Sequence, residues 1–231
     1  MELEYYSASR IKSISDCKKY FYHRYVLKDM KDESNPYAKL GTALHSVLEE
    51  WRPEPTADVK TLVASYKKHM DKDNAWVYSD GRRILMNLNL NKLICGELVG
   101  VELAFEETIE GFPIVGVIDK VEKLEDGTLL VTDYKSNQKM ETVEYLPQLA
   151  VYDLAMEHLY PGSKRIMSLF YLRYNKEFRF SFTEETRKRI LKSFESTRVA
   201  VFEKHDDPTF WEKMPSKGKN CSYCPLQKEC W

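Results

Sequence analysis

Apolar residues in the first hundred positions recur every three or four residues, which is the period of an amphipathic helix. The first such stretch, 10–28, follows Ser9, a residue type that caps helix N-termini. A second covers 38–52, and less regular patterns predict helices over 56–72 and 80–96. The sequence therefore predicts four helices before the first strand.

The period changes to two from Val99 onward, which is typical of strands with one buried face. This alternation predicts a meander of three strands over 99–105, 114–123 and 128–136. After the meander, the pattern predicts a helix, two further strands and a long helix, over 142–159, 165–174, 177–182 and 184–204. The strands therefore lie between helical segments on both sides.

The composition is that of a globular protein that can form a core, since 43% of the 231 residues are hydrophobic and 31% are charged. This length favours one domain with appendages over two large domains. The sequence contains neither a signal peptide nor a stretch of about 18 apolar residues that would span a membrane. We therefore expect a cytoplasmic protein with no membrane partner.

The net charge of −1 hides an uneven distribution along the chain. Residues 97–160 contain 14 acidic and 4 basic residues, whereas 161–204 contain 5 acidic and 11 basic residues. The total gives no reason to expect a nucleic-acid partner. The asymmetry suits a cation-dependent enzyme that acts on a polyanion, and it equally suits two differently charged solvated faces.

Two aspartates, Asp119 and Asp133, flank the turn residues Glu125-Asp126-Gly127. If all three form the loop, with Gly127 in the left-handed region, then Asp119 and Asp133 are cross-strand neighbours. A two-residue turn would instead place the aspartates on opposite faces. In the first arrangement the two negative charges repel unless a cation lies between them. Lys135 is two residues from Asp133 and on the same face of the strand, so it can stabilise negative charge on a phosphate.

Three further polar residues lie on the predicted helices near these strands. His45 follows Gly41 by one helical turn, and Gln148 shares a helix face with Tyr152. Ordinary packing explains each of them if it is taken alone. Glu102 alternates with apolar neighbours, so we expect it to project from the opposite face of its strand and to be a weaker candidate.

Taken in order, these residues resemble the RecB-like branch of the PD-(D/E)XK nuclease superfamily. The matching segments are Gly41-Thr-Ala-Leu-His45, Gly116-Val-Ile-Asp119, Asp133-Tyr-Lys135 and Gln148-Leu-Ala-Val-Tyr152. The resemblance implies an α/β (α+β) restriction-endonuclease-like fold with a central mixed sheet flanked by helices. It also implies a single nuclease domain over 1–231, with a core at 38–204.

The resemblance also implies the chemistry of the site. His45, Asp119, Asp133 and the carbonyl of Tyr134 are the expected ligands of Mn²⁺ or Mg²⁺, ions that suit hard oxygen ligands and, for Mn²⁺, an imidazole. The expected catalytic set comprises Asp119, Asp133, Lys135, Gln148 and Tyr152. Lys135 corresponds to the catalytic lysine, and Gln148 with Tyr152 to the motif that positions the substrate.

The implied activity is metal-dependent exonuclease cleavage of DNA, with a preference for single-stranded ends. The alternative is a DNA-end-binding or end-trimming subunit of a recombination or CRISPR-adaptation complex, and a zinc-containing binding module without catalysis is a third. The sequence has no GxxxxGK[ST] phosphate-binding loop, so a helicase partner would have to supply any unwinding.

Five cysteines in a reducing compartment indicate metal binding or redox chemistry rather than disulfides. Cys17, Cys221, Cys224 and Cys230 resemble the iron-sulfur arrangement of a subset of RecB-like nucleases, which implies a [4Fe-4S] cluster with zinc as the alternative. The cluster would join the N- and C-terminal segments, 1–37 and 205–231. Cys95 is expected to be structural.

Basic residues near these cysteines are candidates for tracking the phosphates of DNA. Those on the first predicted helix are Arg10, Lys18, Lys19 and Arg24. Those in the tail are Lys213, Lys217 and Lys219.

Overall fold

A five-stranded mixed sheet is the centre of the computed structural model, which describes residues 3–30, 36–52, 58–70, 74–212, 221–222 and 224–230. The strands are β1 (Glu97–Ile109), β2 (Phe112–Lys123), β3 (Leu129–Lys135), β4 (Arg165–Tyr171) and β5 (Lys176–Phe180). They are ordered β1-β2-β3-β4-β5. β3 pairs in parallel with β4 and antiparallel with β2, while β4 and β5 are antiparallel. The α/β fold with a mixed sheet flanked by helices is confirmed.

The helices lie before, between and after the strands. They are α1 (Ala8–Asp16), α2 (Lys18–Phe21), α3 (Pro36–Glu50), α4 (Val59–His69), α5 (Ala75–Met86), α6 (Leu146–Leu159), α7 (Glu184–Lys204), α8 (Pro208–Trp211) and α9 (Gln227–Cys230). α6 makes the crossover that a parallel β3–β4 pair requires. None of the helices in the described ranges is long and apolar enough to cross a membrane.

The turn between β2 and β3 determines which residues share a face. Lys120 pairs with Thr132, and Gly127 has a φ of +82°, as the three-residue loop requires. This register, continued by one position, places Asp119 opposite Asp133. Of the two turn alternatives, the structure therefore has the one that makes the aspartates cross-strand neighbours.

Two predicted helices differ from the observed ones. The helix expected over 10–28 is interrupted at Cys17, whose backbone is extended and whose sulfur accepts a hydrogen bond from the N–H of Tyr20, so that it caps α2. The helix expected over 80–96 begins earlier, at Ala75, because Asn74 caps it, and it ends at Met86. The other predicted helices and strands are confirmed, with ends shifted by a few residues.

The chain divides into two compact units. The first comprises 1–33, 105–116 and 182–231, and the second comprises 34–104 and 117–181. In the first unit, Tyr6, Phe112 and Phe194 form a buried aromatic group with ring centroids 5.2 to 5.7 Å apart. In the second, the apolar faces of α3, α4 and α5 form one core cluster.

A buried carboxylate, Asp80 on α5, anchors the loop that follows β3. Its two oxygens accept hydrogen bonds of 2.8 and 2.7 Å from Arg173, and Arg83 donates a third at 2.6 Å. Arg173 also donates to the carbonyl of Ser136 at 3.3 Å. The hydrogen bonds from Arg173 hold the pKa of Asp80 below its ordinary value. Arg173 thus connects Asp80 to Ser136, the residue next to Lys135.

We expect Asp80→Asn to lower the free energy of unfolding by about 3 kcal/mol, because it leaves Arg173 without its buried counter-charge. Urea unfolding at neutral pH measures this loss. Since the folded pKa of Asp80 is lowered, its contribution is present at neutral pH and is lost as the pH falls through that pKa. The difference in the free energy of unfolding between the wild type and Asp80→Asn must therefore become smaller at acidic pH.

Glu185→Gln is the control for this prediction, since it removes a carboxylate from an exposed pair with Arg189 on α7. It should leave the urea midpoint close to that of the wild type. Equal midpoints for Asp80→Asn and the wild type would contradict an anchoring role for Asp80.

Candidate metal centre and active site

Asp119 on β2 and His45 on α3 form the centre of the candidate site in the second unit. Asp119 Oδ1 lies 3.2 Å from His45 Nδ1, and Asp119 Oδ2 accepts a hydrogen bond of 2.5 Å from the N–H of Tyr134. His45 Nε2 lies 3.1 Å from the carbonyl oxygen of Tyr134. Two neighbouring strands and one helix thus bring an imidazole, a carboxylate and a main-chain carbonyl together.

Glu102 on β1 also belongs to this site, contrary to the expectation that it projects from the opposite face. Ligand atoms of His45, Glu102 and Asp119 all lie within 4.8 Å of one another. Glu102 has a φ of +44°, in the left-handed region. A left-handed residue interrupts the two-residue alternation of a strand, so the argument from alternation failed at this position.

Asp133 and Lys135 extend the site along β3. Asp133 is 2% exposed, and its Oδ2 lies 2.6 Å from Lys135 Nζ. Lys135 Nζ donates a 3.0 Å hydrogen bond to Gln148 Oε1, and Gln148 in turn donates one of 2.7 Å to the hydroxyl of Tyr152. α6 therefore holds the lysine through its Gln148–Tyr152 pair, which occupies one face of the helix as the spacing predicts.

The ionisable groups of the site carry an excess of negative charge. Burial raises the pKa of Asp133 to about 6, with Lys135 opposing the rise and Asp119 adding to it. Burial, followed by the charge of Asp119, raises the pKa of Glu102. Burial alone would lower the pKa of His45, but the hydrogen bond and charge of Asp119 outweigh it and raise that pKa. The raised pKa of His45 shows that the carboxylates of the site stabilise positive charge, whereas burial is the main cause of the shifts at Asp133 and Glu102.

The donor set fits a hard divalent cation. Two carboxylates and an imidazole converge within ligand distance of one another, and the carbonyl of Tyr134 is in hydrogen-bond contact with that imidazole. Mg²⁺ and Mn²⁺ take carboxylate and carbonyl oxygens, and Mn²⁺ also accepts imidazole. The expected ligand Asp133 is beside this group but is engaged by Lys135, whereas Glu102 is inside it.

The four cysteines expected to bind a cluster all belong to the first unit. Burial raises the pKa of Cys224, and the thiols of Cys17, Cys230 and Cys221 raise it further, so the four are within electrostatic range of one another. In the part of the chain that the structure describes, however, no three cysteine sulfurs all lie within 4.8 Å of one another. The described residues therefore contain no group of these cysteines that is tight enough for a single metal ion.

The basic residues expected to contact DNA differ in exposure. Arg10 is 5% exposed and donates to the carbonyl of Tyr5 at 2.6 Å. Lys19 is 8% exposed and pairs with Glu212 at 2.8 Å. Both side chains are buried and form their polar contacts within the first unit, so they are not exposed for contact with DNA.

Two more of these basic residues, Lys18 and Arg24, are half-buried. Lys18 lies over the ring of Phe210, with its ammonium nitrogen 3.8 Å from the ring centroid. The tail residues Lys213, Lys217 and Lys219 lie outside the described residues.

Comparisons with known proteins identify the family. The search of curated proteins gives no match. Among solved structures, the crystal structure of SSO0001 is similar to this chain at 15% identity with a TM-score of 0.34, over 86% of this chain and 96% of that one. The family model of the PD-(D/E)XK nuclease superfamily matches residues 5–231. The chain therefore belongs to the PD-(D/E)XK nuclease superfamily, whose members are metal-dependent nucleases.

Proposed function

We propose that this protein is a RecB-like, divalent-metal-dependent exonuclease that hydrolyses phosphodiester bonds at single-stranded DNA ends. One observation carries the proposal: ligand atoms of His45, Glu102 and Asp119 lie within 4.8 Å of one another, beside a lysine paired with Asp133. Packing alone does not require two carboxylates, those of Glu102 and Asp119, to converge where their charges repel.

The carboxylates and the imidazole would hold the cation from three different elements of the second unit. Asp119 comes from β2, Glu102 from β1 and His45 from α3. Because the N–H of Tyr134 holds Asp119 Oδ2, its other oxygen is directed toward the imidazole. When bound, the ion supplies charge neutralisation at the phosphate and a lowered pKa for water.

Lys135 supplies the second positive charge of the reaction. Its nitrogen is held by Asp133 at 2.6 Å and by Gln148 at 3.0 Å, and it lies 4.3 Å from the centroid of the Tyr145 ring. A positively charged nitrogen fixed by two partners is preorganised to stabilise charge that develops on a phosphate oxygen or to orient the attacking water. Gln148 and Tyr152 are positioning residues, because Gln148 accepts a hydrogen bond from the lysine and donates one to the hydroxyl of Tyr152.

The proposal includes an iron-sulfur cluster held by Cys17, Cys221, Cys224 and Cys230 in the first unit. The electrostatic coupling of their thiols supports it. A single zinc ion with Zn–S bonds of about 2.3 Å requires its sulfurs about 3.8 Å apart. The ligands of a [4Fe-4S] cluster bind different iron atoms, so their sulfurs lie farther apart. Among the described residues no three of these sulfurs all lie within 4.8 Å of one another, so their arrangement does not match a single zinc ion.

Asp133→Ala and Lys135→Ala are each expected to reduce cleavage of linear single-stranded DNA by at least about 100-fold, since each removes part of the charge arrangement at the phosphate. End-labelled oligonucleotides incubated with Mn²⁺ or Mg²⁺ measure the rate. Lys123→Ala is the matched control, because it removes an exposed strand lysine and should keep the wild-type rate.

Closed circular single-stranded DNA separates the exonuclease from an endonuclease in the same assay. Circles should remain intact while linear strands disappear. Cleaved circles would contradict the exonuclease proposal, and wild-type rates for both site variants would contradict the assigned site. An inactive wild type that still binds DNA ends would favour the end-binding alternative.

Glu102→Gln is expected to weaken Mn²⁺ binding about tenfold or more, because a neutral amide replaces a charged ligand. Glu102→Gly should lose the same affinity, yet its metal-free form should unfold at a higher temperature than that of Glu102→Gln, since glycine adopts a φ of +44° without strain. Calorimetric titration with Mn²⁺ and thermal unfolding in chelator measure the two effects.

Glu106→Gln is the control for Glu102, because it removes an exposed carboxylate from the same strand. Its Mn²⁺ affinity should equal that of the wild type. A Glu102→Gln variant with undiminished affinity would show that Glu102 is not a ligand.

Protein purified without oxygen should be brown, with broad absorption near about 400 nm and about four irons per chain, if it holds a [4Fe-4S] cluster. Cys224→Ser should abolish both signals, whereas Cys95→Ser, which removes the cysteine in the second unit, should keep them. A colourless protein with one zinc per chain would overturn this assignment.

A further inference from the structure

Two large aromatic side chains in the second unit are exposed and in contact with each other. Tyr37 on α3 is 48% exposed and Trp76 on α5 is 57% exposed. Their ring centroids are 5.8 Å apart, with an angle of 78° between the ring planes. We call this pair the aromatic platform. The core of α3, α4 and α5 does not need these rings, since it is built from other residues.

The platform lies on the same helix as a candidate metal ligand. Tyr37, Gly41 and His45 follow one another at intervals of four residues, so they occupy neighbouring positions along one side of α3. Eight residues of helix measure about 12 Å, the length of about three to four stacked nucleotides at 3.4 Å each. A DNA strand that reaches the metal ligands can therefore extend to the platform.

Gly41 lies between the two ends of this path. A β-carbon at this position would be 3.7 Å from the hydroxyl oxygen of Ser136, the residue after Lys135. The helix side between Tyr37 and His45 thus runs past the end of β3. The platform is continuous with the candidate active site rather than remote from it.

The surroundings of the platform are basic. Trp76 and Asp80 are four residues apart on α5, and the two arginines that pair with Asp80 leave this group with a net charge of +1. The hydrogen bonds to Asp80 raise the pKa of Arg173 most, and the phenols of Tyr174 and Tyr37 add to the rise because they are close to it.

One of these two arginines also lies on the side of α5 that carries Trp76. Arg83 follows Trp76 by seven residues, which is two helical turns, and it is exposed. Exposed rings beside cations match a nucleic-acid strand, whose bases stack on aromatic rings while its phosphates pair with basic side chains. A protein partner would instead require a larger continuous apolar face.

We infer that Tyr37 and Trp76 form a stacking site for an unpaired base of a single-stranded DNA substrate. The inference rests on the proposed function and adds where the strand lies, along α3 from the metal ligands to the platform. It assigns to the platform a preference for unpaired over duplex DNA, because bases within a duplex already stack on one another.

Binding in chelator tests the inference without cleavage. The probes are a fluorescein-labelled oligothymidylate and an abasic strand of the same length. Tyr37→Ala and Trp76→Ala should each weaken oligothymidylate binding about tenfold, the effect of losing one stacked base, and should leave binding of the abasic strand unchanged. Tyr37→Phe, which keeps the ring, should bind like the wild type.

Phe202→Ala is the matched control, because it removes an exposed aromatic side chain of α7 in the first unit and should bind both probes like the wild type. Trp76→Leu keeps the apolar bulk without the indole ring, and it should lose binding like Trp76→Ala while its unfolding temperature stays near that of the wild type. Undiminished oligothymidylate binding in folded Tyr37→Ala and Trp76→Ala would overturn the inference, as would an equal loss on both probes.

The outcome is separable from that of the cleavage assay. Asp133→Ala should keep the preference for oligothymidylate over the abasic strand even though it does not cleave. If the platform variants bind normally while Asp133→Ala is inactive, the stacking inference is wrong and the nuclease proposal is supported. If the wild type does not cleave DNA but binds oligothymidylate more tightly than the abasic strand, and the platform variants lose this preference, the nuclease proposal is wrong and the stacking inference is supported.

Discussion

The electrostatic conflict between Asp119 and Asp133 is the constraint on which the candidate site depends. The β2–β3 register places the two carboxylates on one face, and they are 9% and 2% exposed. Like charges at such sites are unfavourable unless positive groups balance them. The neighbouring side chains supply that balance: His45 beside Asp119 and Lys135 beside Asp133. The third carboxylate, Glu102, adds charge that these two partners do not balance, and this leaves a site suited to a cation.

Much of this arrangement could be predicted from the sequence. The turn Glu125-Asp126-Gly127 allowed two registers, and the preference of glycine for the left-handed region made the three-residue loop a definite alternative. The spacing of Gln148 and Tyr152 placed both on one helix face. Such local rules succeed because they depend on backbone geometry over a few residues, which the sequence specifies directly.

The sequence-based predictions were wrong where a single residue departs from the regular geometry or exposure that periodicity assumes for its element. Glu102 lies in a strand but has a φ of +44°, and no glycine or asparagine marks the position. Cys17 lies in an apolar helical pattern, yet its extended backbone ends α1 and caps α2. Arg10 and Lys19 are basic positions on the predicted polar face, but ring stacking and an ion pair bury them. Cys17 and Arg10 depart through contacts with near neighbours, Tyr20 and Tyr5, and Lys19 through a pair with the distant Glu212. Periodicity contains neither kind of contact.

The strain at Glu102 and the buried charge at Asp133 have a common physical meaning. A left-handed conformation costs a residue other than glycine about 1–2 kcal/mol, and a buried carboxylate beside another adds to the instability of the metal-free site. A cation that binds the folded site but not the unfolded chain stabilises the fold in proportion to the logarithm of its concentration. The charge arrangement that suits the site to a cation is therefore also what makes the metal-free protein less stable, so metal affinity and the stability of the second unit are two measures of the same arrangement.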